Sequence, residues 1–261
     1  MSNNTNKSSL FGHLLELRAR LIRSVIAIAV TTILCFIFGK QIFDILMYKS
    51  PLIRPVFNFI TTRMRLSPPP DVSLIYIDMT EMLGNYMKVS LVAGIILAMP
   101  FLVYELVMFV APALTQKEKR FIYLVLPWVT TMFLFGVVFA YFLLLPASIN
   151  FLLHSHFLTD IATSQIRVGS YISLMTRLLL VVGLVFELPV VTTMLSQLGI
   201  ISGKWLASKR KLAVIIAFVL GALITPTLDP VNQTLVALPL ILLYEMSIWL
   251  ARIFQKRKPA V

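Results

Sequence analysis

Long apolar stretches alternate with short polar ones along the 261 residues of the chain. A helix needs about 20 apolar residues to cross the hydrocarbon of a bilayer, with a range near 17 to 25. The predicted membrane segments are residues 21–39, 83–110, 121–145, 171–198, 212–225 and 233–250. The pattern therefore predicts an all-α, polytopic membrane protein with six transmembrane helices in a single domain, residues 1–261.

The first 20 residues carry a second pattern. Leu10, Leu14, Leu17 and Leu21 recur at helical spacing among polar residues. Such spacing is typical of an amphipathic helix that lies in the membrane interface, here leading into the first span. A cleavable signal peptide is not indicated, because no small-residue cleavage site follows and the apolar run is of spanning length.

The fifth segment is shorter than the others. Its roughly 14 residues reach only about 21 Å, against about 30 Å of hydrocarbon. Residues 224–230, which contain two prolines, separate it from the sixth segment. We expect short fifth and sixth helices to form an antiparallel hairpin that ends below the far surface, where the bilayer thins locally.

Composition narrows the class further. Hydrophobic residues make up 59% of the chain and charged residues only 13%, whereas a soluble domain carries about 25% charged residues. The single cysteine, Cys35, excludes a disulfide-rich fold. The net charge is +12, which in a soluble protein would suggest nucleic-acid binding; in a membrane protein it first indicates orientation.

The cations are distributed unevenly between the two predicted sides. The amino-terminal side, with Arg23 at the edge of the first span, holds 15 cations against Glu16 and Glu118, a net charge of +13, while the other side is neutral. The regions on the first side are 1–20, 111–120, 199–211 and the basic tail 251–261. By the positive-inside rule both termini are cytoplasmic, as six spans require. This face should also attract anionic lipid headgroups, and no nucleic-acid partner is expected.

No catalytic or metal-binding pattern stands out. His154 and His156 are two residues apart, so on a helix they would point away from each other, and no other ligand lies at metal-binding spacing. A solvated loop is the favoured interpretation of the pair. Hydrolase, metalloprotease and P-loop motifs are absent from the sequence, so neither an enzyme nor a cofactor is expected.

The two acidic residues of the basic face have plain structural explanations. Glu16 precedes Arg20 by four residues, the spacing of a helical ion pair. Thr115 and Glu118 have the spacing of a capping box at a helix start. The functional alternative is that Glu16 and Glu118 accept a cationic ligand. Arginine suits that role, because its planar guanidinium pairs a carboxylate through two hydrogen bonds.

Glu187 lies about 16 residues into the fourth segment, just before Pro189. An ionised carboxylate is costly there and normally faces a bundle interior or a wet cavity. Arg177 is ten residues earlier, about 15 Å along a helix, which is too far for a local ion pair. We therefore favour a water-accessible functional site at Glu187 over a structural role.

Three further polar residues lie near the ends of predicted spans. Glu105 and Glu245 are about five residues from cytoplasmic ends, so both are expected to extend toward headgroups as anchors. Gln233 begins the sixth segment close to Asp229. It could cap the short hairpin or line a polar groove, and the residues do not decide between the two.

Several motifs together resemble one family. His13-Leu14-Leu15-Glu16-Leu17-Arg18 resembles the H-L-x-E-L-R entry motif of TatC, the signal-peptide receptor subunit of the twin-arginine protein translocase. The resemblance continues through Phe109-Val110-Ala111-Pro112-Ala113-Leu114 with Glu118, Phe186-Glu187-Leu188-Pro189, Thr225-Pro226 with Asp229, and Gln233-Thr234 with Pro239. It covers essentially the whole chain.

The resemblance implies a cupped receptor in an energy-transducing membrane, the inner membrane of a prokaryote. Its cytoplasmic face would bind the paired arginines of signal peptides on folded cargo. By similarity, that recognition falls to Glu16, Arg18, Phe109 and Glu118.

The resemblance also implies roles away from that face. Pro51 matches a functional outer-loop position, and Glu187 matches the polar residue of a concave intramembrane face. Asp229 and Gln233 match the region where single-span TatA- and TatB-like subunits dock, and further TatC copies would complete the complex. The segment 227–230 is one residue longer than the compact Thr-Pro-Pro-Asp form, which shifts the placement of Asp229.

Three other classes compete with this one. A proton- or ion-coupled secondary transporter would use Glu187, but no internal repeat of the kind such transporters show is visible. A lipid-modifying membrane enzyme would need a nucleophile or a metal site. In a purely structural scaffold, Glu16 and Glu118 would only pair and cap helices.

Overall fold

The computed structural model of the chain describes residues 4–48, 50–51, 53–64, 74–110, 116–154, 166–225 and 229–254. Within these helices the structure describes all side chains except those of residues 4–13, 60–64, 110, 116–125 and 152–154. The described part of the chain is almost entirely helical, as the hydrophobic pattern predicts.

The first helix, α1 (Asn4–Ile37), is continuous over 34 residues. The interfacial position of the amphipathic stretch stays a prediction, and its continuity with the first span is present, because one helix includes both. The reason is local: residues 14–37 contain neither glycine nor proline, so nothing interrupts the backbone hydrogen bonds. Only 6% of the most apolar part of this span is buried, so most of α1 is left to face lipid or a partner.

Helix α4 (Met79–Val110) packs along α1, and together they form the most extensive helix pair of the fold. The two backbones approach closely at Gly94, whose carbonyl oxygen accepts a hydrogen bond from Thr31 Oγ1 at 2.9 Å. A Cβ on Gly94 would lie 2.7 Å from the backbone nitrogen of Thr32. A small residue is therefore required at this crossing, as is usual where membrane helices pack closely.

The segment between α1 and α4 is more structured than a loop. It contains α2 (Gly39–Leu46), α3 (Ile53–Met64) and a two-residue strand β1 (Leu74–Ile75). β1 pairs in parallel with β2 (Ile166–Arg167). The hydrophobic pattern predicts helices alone, since two-residue strands are too short to leave an alternating signal.

The third predicted segment is extended beyond its expected end. Helix α5 (Gln116–Phe139) continues through a π-helical turn at Ala140–Leu144 into α6 (Leu145–His154). The amide of Leu145 donates to the carbonyl of Ala140, one residue further back than in an α-helix. Pro146 follows at once and has no amide hydrogen to donate, which accounts for the wide turn at this point.

The fourth segment is broken where its proline falls. Helix α7 (Val168–Phe186) ends at Glu187, and α8 (Leu188–Gln197) begins with Pro189 in its first turn. Proline is accepted at that place because the first amides of a helix have no partner within it. The core of the protein lies between α5, the π-helical turn and α7, and its fully buried residues include Phe133, Leu145, Ile172, Met175, Leu178 and Val182.

The last part of the chain forms the predicted hairpin. Helix α9 (Gly203–Ser208) precedes α10 (Arg210–Ile224), and α11 (Pro230–Phe254) packs against α8 and α10. A Cβ on Gly221 would lie 2.9 Å from the carbonyl oxygen of Gln233, so α10 and α11 approach closely. Helix α10 has 15 residues, close to the length that the sequence predicts. The prediction of a short sixth helix is wrong, because α11 has 25 residues and is long enough to cross a membrane. Its helical turns continue beyond the predicted segment 233–250 at both ends.

Five stretches of the described chain are long and apolar enough to cross a membrane. They are Leu14–Ile37, Met79–Phe109, Leu126–Phe151, Val168–Gln197 and Pro230–Phe254. They match five of the six predicted segments. The remaining segment corresponds to α10, which is present but shorter than a full span.

Candidate functional site

The candidate site begins with an ion pair within α1. Arg20 donates from Nη2 and Nε to Oε1 of Glu16, at 2.6 Å and 3.1 Å. The two residues are four apart, so they lie on one face of the helix. The predicted helical ion pair is therefore present.

A third residue, from α4, completes the contact. Arg20 Nη1 donates to Oε2 of Glu105 at 3.0 Å, and Arg23 Nη1 donates to Oε1 of Glu105 at the same distance. The interpretation of Glu105 as a headgroup anchor is wrong, since only 3% of the residue is exposed and it binds two arginines. α1 and α4 run side by side in opposite directions, which brings Glu105 near the end of α4 beside the middle of α1.

These four residues, Glu16, Arg20, Arg23 and Glu105, are called the Glu16 cluster below. Two carboxylates and two guanidiniums give the cluster no net charge. Both hydrogen bonds to Glu16 fall on Oε1, and within the described residues Oε2 receives none. About a third of the Glu16 side chain is exposed, so the carboxylate is held in place while one of its oxygens has no partner within the cluster.

Of the other residues that resemble the recognition motif, Arg18 and Phe109 have described side chains. Arg18 is exposed on α1, two residues from Glu16 and therefore on a different side of the helix. Phe109 is half-buried on α4, one turn beyond Glu105. Glu118 belongs to the first turn of α5, but its side chain lies outside the described part of the structure, as does Thr115. The capping box stays a prediction.

Glu187 is placed at the break between α7 and α8. Only 7% of it is exposed, and neither carboxylate oxygen has a hydrogen-bond partner in the described part of the chain. Phe186, its neighbour, packs against the rings of Phe135 and Phe139 on α5. The chain by itself therefore encloses this carboxylate, and its access to water stays a prediction.

Asp229 and Gln233 hold the hairpin together. Oδ1 of Asp229 accepts a hydrogen bond from the amide of Asn232 at 2.6 Å, which caps the start of α11. Gln233 Nε2 donates to the carbonyl oxygen of Phe218 on α10 at 2.8 Å. Of the two roles that the sequence leaves open for Gln233, the structure shows the hairpin contact.

Two further predicted positions lie apart from the Glu16 cluster. Pro51 is exposed in the turn between α2 and α3. Glu245, half-exposed on α11, pairs with Arg210 at 2.7 Å, so it has a protein partner instead of extending alone toward headgroups. Among the described residues, no group of three or more His, Cys, Asp or Glu could hold a metal ion.

Sequence reasoning missed the long-range half of the Glu16 cluster. Arg20 and Arg23 are separated from Glu105 by more than 80 residues, so no local spacing connects them. One signal was available: the start of the first span and the end of the second share a membrane side, and charges of opposite sign lie near both. That signal restricts the pairing without selecting the partners.

Comparison with known proteins identifies the family of the chain. The family model "Sec-independent protein translocase protein (TatC)" matches residues 12–239. The chain belongs to the TatC family. It is 39% identical to the TatC of Aquifex aeolicus, over 95% of this chain and 97% of the relative. It is also 39% identical to the TatC of Desulforapulum autotrophicum, over 99% of this chain and 89% of the relative.

Solved structures of the family have the same fold. A crystal structure described as the twin arginine translocase receptor TatC is 38% identical, with a TM-score of 0.77, and covers 93% of this chain and 99% of its own. A second crystal structure of that receptor, in the detergent DDM, is 40% identical with a TM-score of 0.79, over 92% and 99% of the two chains. Family membership identifies the chain as a membrane protein of a protein translocase, a transport role and not a catalytic one.

Proposed function

We propose that this chain is the receptor subunit of a twin-arginine translocase and that it binds twin-arginine signal peptides through Glu16, together with Glu118. The observation that carries the proposal is the geometry of Glu16. Arg20 holds one of its oxygens, and the other receives no hydrogen bond from the described residues. A guanidinium of the peptide would use this oxygen.

The electrostatics favour recognition at short range. The predicted cytoplasmic face carries a net charge of +13, so a cationic peptide gains nothing from long-range attraction. The Glu16 cluster is neutral, because Glu105 offsets one of its two arginines and Glu16 the other. Bidentate hydrogen bonds at short distance then supply the specificity.

The proposal includes three further contacts, with Arg18, Phe109 and Glu118. Arg18 and Phe109 contribute to the same cytoplasmic surface in the proposal, and Glu118 supplies the second carboxylate. Their support is the family resemblance together with the position of Phe109, one turn beyond Glu105 on α4. Anionic lipids would occupy the basic surface outside the cluster.

We place both termini in the cytoplasm and count α10 as a sixth, short span. The cation distribution supports the orientation, and the antiparallel α10–α11 hairpin supports the even number of crossings. The protein would reside in the inner membrane of a prokaryote.

We also propose that the hairpin and α11 receive the single-span TatA- and TatB-like subunits, beside other copies of the chain. Asp229 and Gln233 fix the hairpin at its turn, which keeps the adjacent surface of α11 in place. An apolar groove of about 790 Å³ follows α11, lined in part by Leu235, Leu238 and Leu242. A transmembrane helix has the apolar surface that such a groove needs.

The test is crosslinking of the purified protein in nanodiscs to a signal peptide that carries a photoreactive group beside its arginine pair. We expect Glu16→Gln to lower crosslinking strongly, because an amide does not attract a guanidinium as a carboxylate does. Glu245→Gln is the matched control: it removes a carboxylate that also pairs with an arginine, but outside the cluster. Equal crosslinking by Glu16→Gln and the unchanged protein would overturn the assignment.

A further inference from the structure

A second polar site lies at the other end of α4 from the Glu16 cluster. A pocket of about 360 Å³ opens there between α4, α7 and the end of α10. Its polar lining contains three cations, Lys88, Arg167 and Arg177, and one carboxylate, Glu81. The family resemblance assigns no role to any of the four.

One of the three cations is already neutralised. Arg167 Nε donates to Oε1 of Glu81 at 2.9 Å, and its Nη2 lies 3.3 Å from Oδ2 of Asp78. The hydrogen bond to Glu81 raises the pKa of Arg167 above its usual range. Glu81 also accepts a hydrogen bond from the amide of Gly169 at the start of α7. Arg167 and Glu81 therefore pair with each other on one wall of the pocket.

The other two cations have no acidic partner among the described residues. Lys88 Nζ donates to the hydroxyl of Ser173 at 2.9 Å, and no ion pair within the described chain involves Lys88 or Arg177. Each lies nine residues from the start of its helix, about 13.5 Å along the axis. Both side chains are exposed. Two unpaired cations at this depth require a counter-charge, because charged groups in membrane helices normally pair.

The surroundings of the pocket suit an amphiphile better than a free ion. Leu174 and Ile224 form an apolar wall beside the cations. Leu91, one turn beyond Lys88, and Leu184, two turns beyond Arg177, are 46% and 53% exposed and continue the same faces toward the middle of the membrane. A headgroup held at the cations would leave its acyl chains lying along these leucines.

We propose that Lys88, Arg177 and Ser173 bind the phosphate group of an anionic phospholipid, with the lipid's chains along Leu91 and Leu184. The phosphate supplies the missing negative charge and accepts hydrogen bonds from the ammonium, the guanidinium and the hydroxyl. The site is separate from the proposed peptide site: Lys88 and Glu105 are 17 residues apart on α4, about 25 Å.

Native mass spectrometry of the purified full-length chain tests the proposal by titration with phosphatidylglycerol. We expect the double variant Lys88→Gln/Arg177→Gln to retain one tightly bound lipid fewer than the unchanged protein. The dissociation constant for that lipid should rise at least about tenfold. Lys88→Arg should retain it, since the charge and the donors remain. The matched control Lys40→Gln/Arg54→Gln removes two exposed cations outside the pocket and should bind as the unchanged protein does.

Two further arms separate the possible ligands. Diacylglycerol with the same chains but no phosphate should not occupy the site, and millimolar inorganic phosphate should not displace phosphatidylglycerol. Displacement by inorganic phosphate would overturn the lipid assignment in favour of a free-anion site. An unchanged number of bound lipids in the Lys88→Gln/Arg177→Gln variant, with an unchanged elution profile, would overturn the site itself.

Discussion

Arg20 Nη1 lies 3.0 Å from Oε2 of Glu105, although 85 residues separate the two along the chain. The same guanidinium holds Oε1 of Glu16 through its other two nitrogens. Arg20 thus links two helices and two carboxylates at once. Its position on α1 cannot change without moving Glu16, the residue proposed to meet the peptide.

Glu105 is therefore expected to act as a positioning residue. Glu105→Gln removes one of the two negative charges of the Glu16 cluster, so the cluster becomes cationic and Arg20 can shift. We expect the dissociation constant of a twin-arginine peptide to rise about three- to tenfold, corresponding to about 1 kcal/mol. Microscale thermophoresis in nanodiscs measures it, with Glu245→Gln as the control. An unchanged constant alongside a lower thermal midpoint would show a purely structural role.

A twin-lysine peptide distinguishes geometry from simple charge. Lysine carries the same charge as arginine but lacks the planar set of donors that meets a carboxylate in two places. We expect it to bind about tenfold more weakly than the twin-arginine peptide, on the scale of one charge-assisted hydrogen bond. The same binding assay, at equal ionic strength, decides the point. Equal affinities would contradict bidentate recognition.

The crossing of α1 and α4 predicts that substitutions at two glycines of α4 differ sharply in their effect on stability. A Cβ on Gly94 would lie 2.6 Å from Thr32 Oγ1, whereas a Cβ on Gly84 meets nothing within 4 Å. We expect Gly94→Ala to destabilise the protein by about 1 to 3 kcal/mol. Gly84→Ala should be neutral or slightly stabilising, because alanine favours helix. Thermal unfolding in detergent compares them, and similar midpoints would contradict the close approach.

We predict that replacing Glu187 raises stability and lowers transport. Its two oxygens are buried without partners in the described chain, and unpaired buried polar atoms are destabilising. Glu187→Leu should therefore raise the thermal midpoint. We expect export of a twin-arginine cargo to fall, because a polar group kept at a cost in stability normally serves function. A lower midpoint would mean that the carboxylate has a stabilising partner. If the chain alone moved ions in liposomes and Glu187→Gln abolished this, the transporter alternative would be favoured.

The short α10 predicts a locally thin membrane. Its 15 residues rise about 22 Å, less than the hydrocarbon of a typical bilayer. Single cysteines at residues 227–231, in a variant whose Cys35 is replaced, should react with a water-soluble maleimide added from outside. The nearby lipid should also be thinner, as measured by depth-dependent quenching. Protection of these positions together with full-depth lipid contact would contradict the proposal.

The helix boundaries show which parts of the fold the hydrophobic pattern predicts. Predicted segments 83–110 and 233–250 correspond to α4 (Met79–Val110) and α11 (Pro230–Phe254), because long apolar runs leave few alternatives in a membrane. The pattern fails where helices meet or break. It overlooks the β1–β2 pair and does not place the break at Glu187.

The Glu16 cluster shows the same division within a site. The Glu16–Arg20 pair follows from a spacing of four residues, since helix geometry alone brings them together. The role of Glu105 does not follow from any local spacing. Its predicted position near headgroups is wrong, because burial by a neighbouring helix leaves no periodic signal. The pocket at Lys88 and Arg177 likewise joins two helices that no local pattern connects.

The sequence by itself determined the membrane class, the approximate positions of the spans, the charge difference between the two faces and the family motifs. These depend on composition and on periodicity along one chain, which short-range physics controls. The tertiary structure alone decided that Arg20 joins Glu16 to Glu105, that Glu187 is enclosed, and that Lys88 and Arg177 share a pocket. Each of these depends on how two helices cross, and the crossing is set by small residues such as Gly94 and by the packing of the whole bundle.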